Sequence, residues 1–132
     1  MVPKQIPHGF TLIEVMITLL IVGLLASIAY PSYVDYVRDG RRSEGIALMS
    51  NIMNAQERYF IENRQYVTTL DSLGYASSGN IRSESGWYLV SAEACAGIAL
   101  SNCVNIVAVA QNDQAQDGNL SLNSFGQRTG NW

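Results

Sequence analysis

The side chain in this sequence that most needs a chemical explanation is Glu14. Apart from tyrosine, it is the only ionisable residue in residues 10–30, which otherwise suit a lipid bilayer. A carboxylate near the centre of a bilayer costs about 2.5–3.5 kcal/mol on insertion scales, and such residues tend to be functional. The sequence therefore poses the question of why a membrane-length segment carries a carboxylate at this position.

Two cysteines, Cys95 and Cys103, are the next candidates for chemistry. In a reducing cytosol they would be free thiols or half of a metal site. The single histidine, His8, lies in the N-terminal tail, so one chain cannot assemble four cysteine and histidine ligands for zinc. If the apolar segment exports the rest of the chain, a disulfide is the better interpretation, and we predict one.

No constellation of residues predicts an enzyme. Because His8 is remote, no Ser-His or Cys-His pair is available, and no glycine-rich phosphate loop follows a predicted strand. Glu57 and Glu62 lie on a helix face expected to be solvated, which argues against general acid–base catalysis. Four neighbouring side chains carry oxygens that suit calcium, although a plain turn is the stronger interpretation: Asn112, Asp113, Asp117 and Asn119. We therefore predict no catalytic residue, no cofactor and no metal.

The basic and aromatic residues give little support for a nucleic-acid partner. The net charge is −3, from 8 basic and 11 acidic residues, whereas nonspecific binding of nucleic acid rests on a basic surface. Arg41 and Arg42 could meet anionic lipid, but a solvated helix face is the default expectation. For Trp87 and Trp132 we expect core packing and a C-terminal plug, respectively.

The element that must position Glu14 is a membrane-length helix. Residues 10–30 are long enough, since about 20 residues span a bilayer as a helix. An ordinary secretory signal peptide is the alternative, with a basic start at Lys4 and a small-x-small site at residues 27–29. That alternative leaves Glu14 unexplained.

The helical pattern continues beyond this segment. Pro31 interrupts it locally, because proline lacks an N–H and its ring crowds the carbonyl of Ser27. Apolar residues then recur at spacings of three and four, in one stripe that runs through Val34, Val37, Arg41, Gly45, Leu48, Ile52, Ala55 and Tyr59. We predict one helix of about 50 residues, from Phe10 or Thr11 to near Asn63, with one half facing lipid and the other packed on a domain.

The remainder of the chain predicts a loop and then a sheet. Residues 64–86 are rich in glycine and serine and are expected as loop, held to the helix by Tyr66, Leu70, Leu73 and Tyr75. Residues 87–94, 103–111 and 119–123 have strand character, and a turn at residues 117–118 precedes the last of them. The predicted fold class is α+β, a long helix packed on a small antiparallel sheet of three to four strands.

The stretch GFTLIEV at residues 9–15 resembles the N-terminal signal of type IV pilins and related pseudopilins. Gly23 and Pro31 also stand at that family's positions. The resemblance implies that a prepilin peptidase cleaves after Gly9 and N-methylates Phe10. Residues 1–9 would then be a leader peptide, residues 10–31 a transmembrane and filament-core half-helix, and residues 32–132 a periplasmic pilin domain.

A weaker resemblance covers residues 29–75 and 118–132, which are similar to minor pilins grouped with PilE-type and competence pilins. It implies a structural subunit of a type IV pilus, most simply a minor pilin acting in assembly. A pseudopilin of type II secretion and a DNA-binding receptor pilin for natural transformation are the alternatives. The implied partners are other pilin subunits, an inner-membrane assembly platform and membrane lipid before assembly. The implied location is the inner membrane for the precursor and the cell surface for the pilus.

The resemblance also gives roles to three residues of the helix. In the processed chain Glu14 would pair with the α-amine of Phe10, in its own or a neighbouring subunit, and so fix the register of packed helices. Gly23 and Pro31 would weaken the helix between them, so that residues 24–30 are helical in the precursor and melt in the fibre.

Overall fold

The computed structural model describes residues 9–132, and the leader predicted for residues 1–9 therefore lies outside the described residues except at Gly9. One long helix, α1, runs over Leu12–Asn63 and passes through Pro31 without a break. The predicted helix boundaries are thus confirmed to within one or two residues. The described chain divides into two compact units, one that ends at Tyr36 and one over Val37–Trp132, and α1 contributes to both.

The first unit is the apolar part of α1. An 18-residue window of this helix is long and apolar enough to cross a membrane, and none of that window is buried. Two hydroxyls within it bond to the helix itself: Thr18 donates to the carbonyl of Glu14 at 2.7 Å, and Ser27 donates to that of Leu24 at 2.7 Å. Because these bonds replace contacts with water, the two hydroxyls do not prevent burial of the helix in lipid.

The second unit joins the rest of α1 to an antiparallel sheet whose strands follow chain order. The strands are β1 (Asn80–Arg82), β2 (Tyr88–Ala94), β3 (Val104–Ala110), β4 (Leu120–Asn123) and β5 (Arg128–Thr129). The fold class is confirmed, but the sheet has five strands and not three to four. The three predicted strands correspond to β2, β3 and β4, each shortened by one residue at one or both ends.

The core lies between α1 and one face of the sheet. Alternate residues of the strands point inward, as the period of two requires, and meet Met49 and Ile52 of the helix. The buried strand residues are Tyr88, Val90, Val104, Ile106, Ala108, Ala110, Leu120 and Leu122. Gly45 is also buried, and a Cβ atom there would lie 2.8 Å from the Tyr88 ring, so glycine allows the helix to approach the sheet closely.

The segment after the helix is held down as predicted. Tyr66 and Leu70 are buried in the core, and Leu73 and Tyr75 pack against it. A short 3-10 helix at Leu70–Leu73 breaks the predicted loop. The buried amide of Gln56 also pairs with the backbone of Val67, accepting its N–H at 3.1 Å and donating to its carbonyl.

Candidate assembly site

The N-terminal end of α1 contains the predicted processing and register residues. Residues 9–11 precede the helix, and the side chain of Phe10 is 85% exposed. Thr11 occupies the position before the first helical residue, and its Oγ1 accepts a hydrogen bond from the backbone N–H of Glu14 at 3.3 Å. Threonine followed three residues later by glutamate is the sequence of a capping box, which satisfies donors that the first helical turn leaves free.

This geometry places Glu14 in the first turn of the helix, and not near the centre of the helix. An acidic side chain in the first turn is stabilised by the helix dipole, typically by about 0.3–1 kcal/mol. Glu14 therefore has a local structural role in addition to the predicted ion pair, and an experiment has to separate the two.

Gly23 and Pro31 lie on a continuous helix in the single chain. A Cβ atom at Gly23 would have no neighbour within 4 Å, so nothing in the described chain requires glycine there. Pro31 has no N–H to donate to the carbonyl of Ser27. The loss of helical structure between them in a fibre stays a prediction.

The second unit contains a cluster of polar side chains that sequence reasoning missed. Its centre is Asp117, whose side chain is only 4% exposed. The Asp117 carboxylate accepts hydrogen bonds from Nε of Arg42, at 2.7 Å, and from Nη2 of the same side chain. The Tyr88 hydroxyl donates to the same carboxylate at 3.2 Å, and Gln114 Nε2 donates to it at 3.1 Å. Asn131 Nδ2 donates to the Asp117 carbonyl at 2.9 Å. We call these five residues the Asp117 cluster.

The electrostatics of the cluster follow from these contacts. The hydrogen bond from Arg42 is the main reason that the pKa of Asp117 lies below its usual value, while burial opposes the change. The same bond raises the pKa of Arg42. Burial raises the pKa of Tyr88, so its hydroxyl remains a donor to Asp117. The cluster thus links α1, β2 and the C-terminal residues through one ionised carboxylate.

The expectation that Arg42 lies on a solvated helix face was wrong. The buried positions of α1 are 45, 49, 52, 55 and 56. The predicted stripe is confirmed at Gly45, Ile52 and Ala55, whereas positions 42, 49 and 56 each lie one residue after a predicted position. Arg42 lies three residues before the buried Gly45, and this helical spacing was the signal in the sequence that Arg42 faces the sheet. Arg41 is also engaged, with its guanidinium 3.6 Å from the centre of the Trp87 ring.

The other predicted contacts are partly confirmed. Trp87 and Trp132 both pack against the core, as expected, and Trp132 Nε1 donates to the carbonyl of Thr129 at 2.8 Å. Two of the four side chains weighed as calcium ligands have other partners: Asp117 binds Arg42, and Asn119 Oδ1 accepts the N–H of Ala110 at 3.0 Å. Residues 112–117 form a 3-10 helix before the turn at Gly118.

Cys95 and Cys103 form the predicted disulfide, with their Cα atoms 5.6 Å apart. The bond closes the loop between β2 and β3. Beside it, on the outer face of the sheet, lies an open groove lined by neutral side chains, including Asn105, Asn123 and Phe125.

Comparison with known proteins identifies the family. Residues 31–121 match the family described as "Type IV minor pilin ComP, DNA uptake sequence receptor", and residues 7–30 match the prokaryotic N-terminal methylation motif. The chain belongs to this family of type IV minor pilins. The resemblance seen in residues 9–15 and 29–75 is therefore confirmed.

Curated relatives agree with this assignment. The chain is 39% identical over 95 residues to a fimbrial protein of Neisseria meningitidis serogroup A, covering 72% of this chain and 54% of that protein. It is 38% identical over 79 residues to the type IV major pilin protein PilE of Neisseria gonorrhoeae (60% and 47%). It is 38% identical over 77 residues to the fimbrial protein EcpC of Eikenella corrodens (58% and 50%). The chain spans about half the length of these relatives.

Proposed function

We propose that this protein is a structural subunit of a type IV pilus, a minor pilin that acts in pilus assembly and not as an enzyme. The observation that carries the proposal is the N-terminal arrangement. A match to the methylation motif covers residues 7–30, and an exposed tripeptide at residues 9–11 leads into an apolar helix with no part of its membrane-length window buried.

The first step that we propose is processing. A prepilin peptidase cleaves after Gly9 and methylates the new N-terminal residue, Phe10. The exposed, non-helical backbone at residues 9–11 supports this step, because a peptidase needs an extended and accessible segment. Before assembly the apolar helix holds the subunit in the inner membrane, with residues 32–132 in the periplasm. The assembly platform then adds it to other pilin subunits, and the pilus lies at the cell surface.

Glu14 acts in the second step, the packing of subunits into a filament. Cleavage creates a cationic α-amine on Phe10, four residues before Glu14. When such helices pack together and exclude water, a carboxylate and an amine that meet offset each other's desolvation, whereas a misregistered helix leaves both charges buried and unpaired. The pair therefore selects one register.

Mass spectrometry tests the processing step. The intact mass of the membrane-extracted protein should correspond to residues 10–132 plus one methyl group. A mature N-terminus at Tyr30 would instead support an ordinary signal peptide and contradict the pilus proposal.

Substitutions of Glu14 test the register step. Glu14→Val should leave membrane insertion intact or improved, while the amount of subunit in sheared filaments falls. Glu14→Gln is the matched control, because glutamine also serves in a capping box but carries no charge. If the ion pair matters, the glutamine variant should be depleted from filaments as well. Normal incorporation of both variants would show that the carboxylate has no pairing role, and rescue by glutamine alone would assign its role to the helix cap.

A DNA receptor is the second candidate function, favoured by the printed description of the matching family. The distribution of charge gives it limited support. Arg42 is bound to Asp117, Arg41 lies over Trp87, and the groove beside the disulfide has no charged residue in its lining. A gel shift with duplex DNA at low and at moderate salt distinguishes the candidates. Binding that persists at moderate salt would favour the receptor, because binding that rests on a few nonspecific phosphate contacts weakens as the salt concentration rises.

A further inference from the structure

Three tyrosines project from α1 immediately after its most apolar part. Tyr30, Tyr33 and Tyr36 are 73%, 67% and 77% exposed, whereas Tyr66 and Tyr88 of the second unit are buried. Spaced three residues apart on one helix, the three rings lie within about a third of its circumference. The described chain therefore leaves about two thirds or more of each of these side chains exposed.

The position of the three tyrosines matches the thickness of a bilayer. The helical rise from Leu12 to Tyr30 is about 27 Å at 1.5 Å per residue, close to the thickness of about 30 Å of the hydrocarbon core of a bilayer. If Leu12 lies at one boundary of the hydrocarbon, Tyr30 lies near the other. Tyr33 and Tyr36 begin farther out, but side chains on a helix lean toward its N-terminus, so their rings reach back toward the boundary.

We infer that Tyr30, Tyr33 and Tyr36 form a tyrosine anchor that binds the headgroup and glycerol layer on the exported side of the membrane. This inference rests on the proposed function, in which the precursor is held in the inner membrane. The apolar ring of tyrosine favours hydrocarbon and its hydroxyl favours water, which is why tyrosine is enriched at membrane interfaces. The surface is also continuous with the unburied apolar window of the same helix.

The anchor gives a reason for the placement of Glu14. With the tyrosines fixed at one interface, the helix start and its first turn lie at the opposite interface, where a carboxylate reaches water at little cost. A slide of one turn toward the exported side would draw Glu14 about 5 Å farther into the hydrocarbon. The anchor therefore sets the depth at which residues 9–14 are presented for processing and assembly.

Spin-label depth measurements on the full chain test this inference. Because both native cysteines are bonded to each other, a single cysteine introduced at Val22 or at Ser32 takes the label. The protein is placed in vesicles of phosphatidylethanolamine and phosphatidylglycerol, and the accessibility of each label to oxygen and to an aqueous nickel chelate gives its depth. The parent, a triple Tyr→Leu variant and a triple Tyr→Trp variant are compared.

In the parent, the Val22 label should lie deep in the hydrocarbon and the Ser32 label near its boundary. The triple leucine variant extends the apolar run to residue 36, so the centre of that run shifts along the helix. The Ser32 label should therefore sink by about 4–5 Å, close to one helical turn. The triple tryptophan variant keeps amphipathic rings and should keep the parent depth.

An unchanged Ser32 depth in the leucine variant would overturn the anchor while leaving the membrane-held precursor intact. An equal shift in the tryptophan variant would overturn it as well, because the amphipathic character of the rings would then not set the depth. If instead the parent's Val22 label is fully accessible to the nickel chelate, the chain is not inserted, and the proposed function itself fails.

Discussion

Removing Arg42 from the Asp117 cluster should destabilise the second unit more than removing an exposed charged side chain does. Arg42→Ala leaves a carboxylate that is 4% exposed without its cation. Breaking a buried ion pair by removing one partner costs about 3–5 kcal/mol. Arg42 is itself 21% exposed, and three neutral donors stay on Asp117, so we expect the low end, about 3 kcal/mol. For a unit of this size, that lowers the melting temperature by roughly 12 °C or more.

Urea unfolding followed by the fluorescence of Trp87 and Trp132 measures this loss, with the protein held in detergent micelles. Arg58→Ala is the matched control, because Arg58 lies on an exposed part of the same helix and should change the free energy of unfolding by no more than about 0.5 kcal/mol. A double-mutant cycle with Asp117→Ala isolates the pair, and a coupling of about 2 kcal/mol is expected. If Arg42→Ala costs no more than Arg58→Ala, the pair does not hold the unit together.

The decrease in the free energy of unfolding at low pH, here called the acid limb, gives an independent check on the same pair. The pKa of Asp117 is lower in the folded chain than in the unfolded chain, so the unfolded chain takes up the proton first as pH falls. The contribution of the pair is therefore complete above the unfolded pKa, about 4, and is lost as pH falls through the folded pKa. Asp117→Asn should lower stability at neutral pH but flatten the acid limb. An acid limb as steep as that of the parent would refute the assignment.

Three further predictions concern other parts of the fold. Gly45→Ala should destabilise the second unit by about 1–2 kcal/mol in urea unfolding because its Cβ meets the Tyr88 ring, whereas Gly40→Ala, with nothing within 4 Å, should stabilise it by up to about 1 kcal/mol. Reduction of the single disulfide should remove roughly 2–3 kcal/mol and lower the melting temperature, and a double serine variant should no longer respond to reductant. In a filament map, residues 24–30 should have lost helical hydrogen bonds; continuous helix there, with normal assembly of Pro31→Ala, would contradict the melting prediction.

The parts of the fold that were predictable from sequence are those with a long, regular pattern. Both ends of α1 followed from the period of its apolar residues and from the glycine- and serine-rich segment after Asn63. Strands β2, β3 and β4 followed from β-branched and aromatic residues bounded by turns. Strands β1 and β5 were missed because they contain three residues and two residues, respectively, too few for any period to appear. Each exists because it pairs with a longer neighbour.

The candidate-site residues divide in the same way, into those that belong to a local sequence pattern and those that only the folded chain brings together. Gly9, Phe10 and Glu14 stand in a local motif and were visible in the sequence. The Asp117 cluster was not, because Arg42 and Asp117 are 75 residues apart and only the folded chain brings them together. A polar residue on a helix also suggests a solvated face by default, and a stripe that is one residue out of phase is enough to reverse that conclusion.

Tyr88 explains why this end of the domain depends on polar residues. Its ring lies where a side chain at position 45 would be, so the helix can approach the sheet only because that residue is glycine. The Tyr88 ring itself fills the space between helix and sheet at this point. The hydroxyl of the same tyrosine lies beside Asp117 and Gln114, and the carboxylate it contacts binds Arg42 one turn earlier on the helix. One buried side chain therefore sets both the distance between helix and sheet and the position of the ion pair that fixes the helix there.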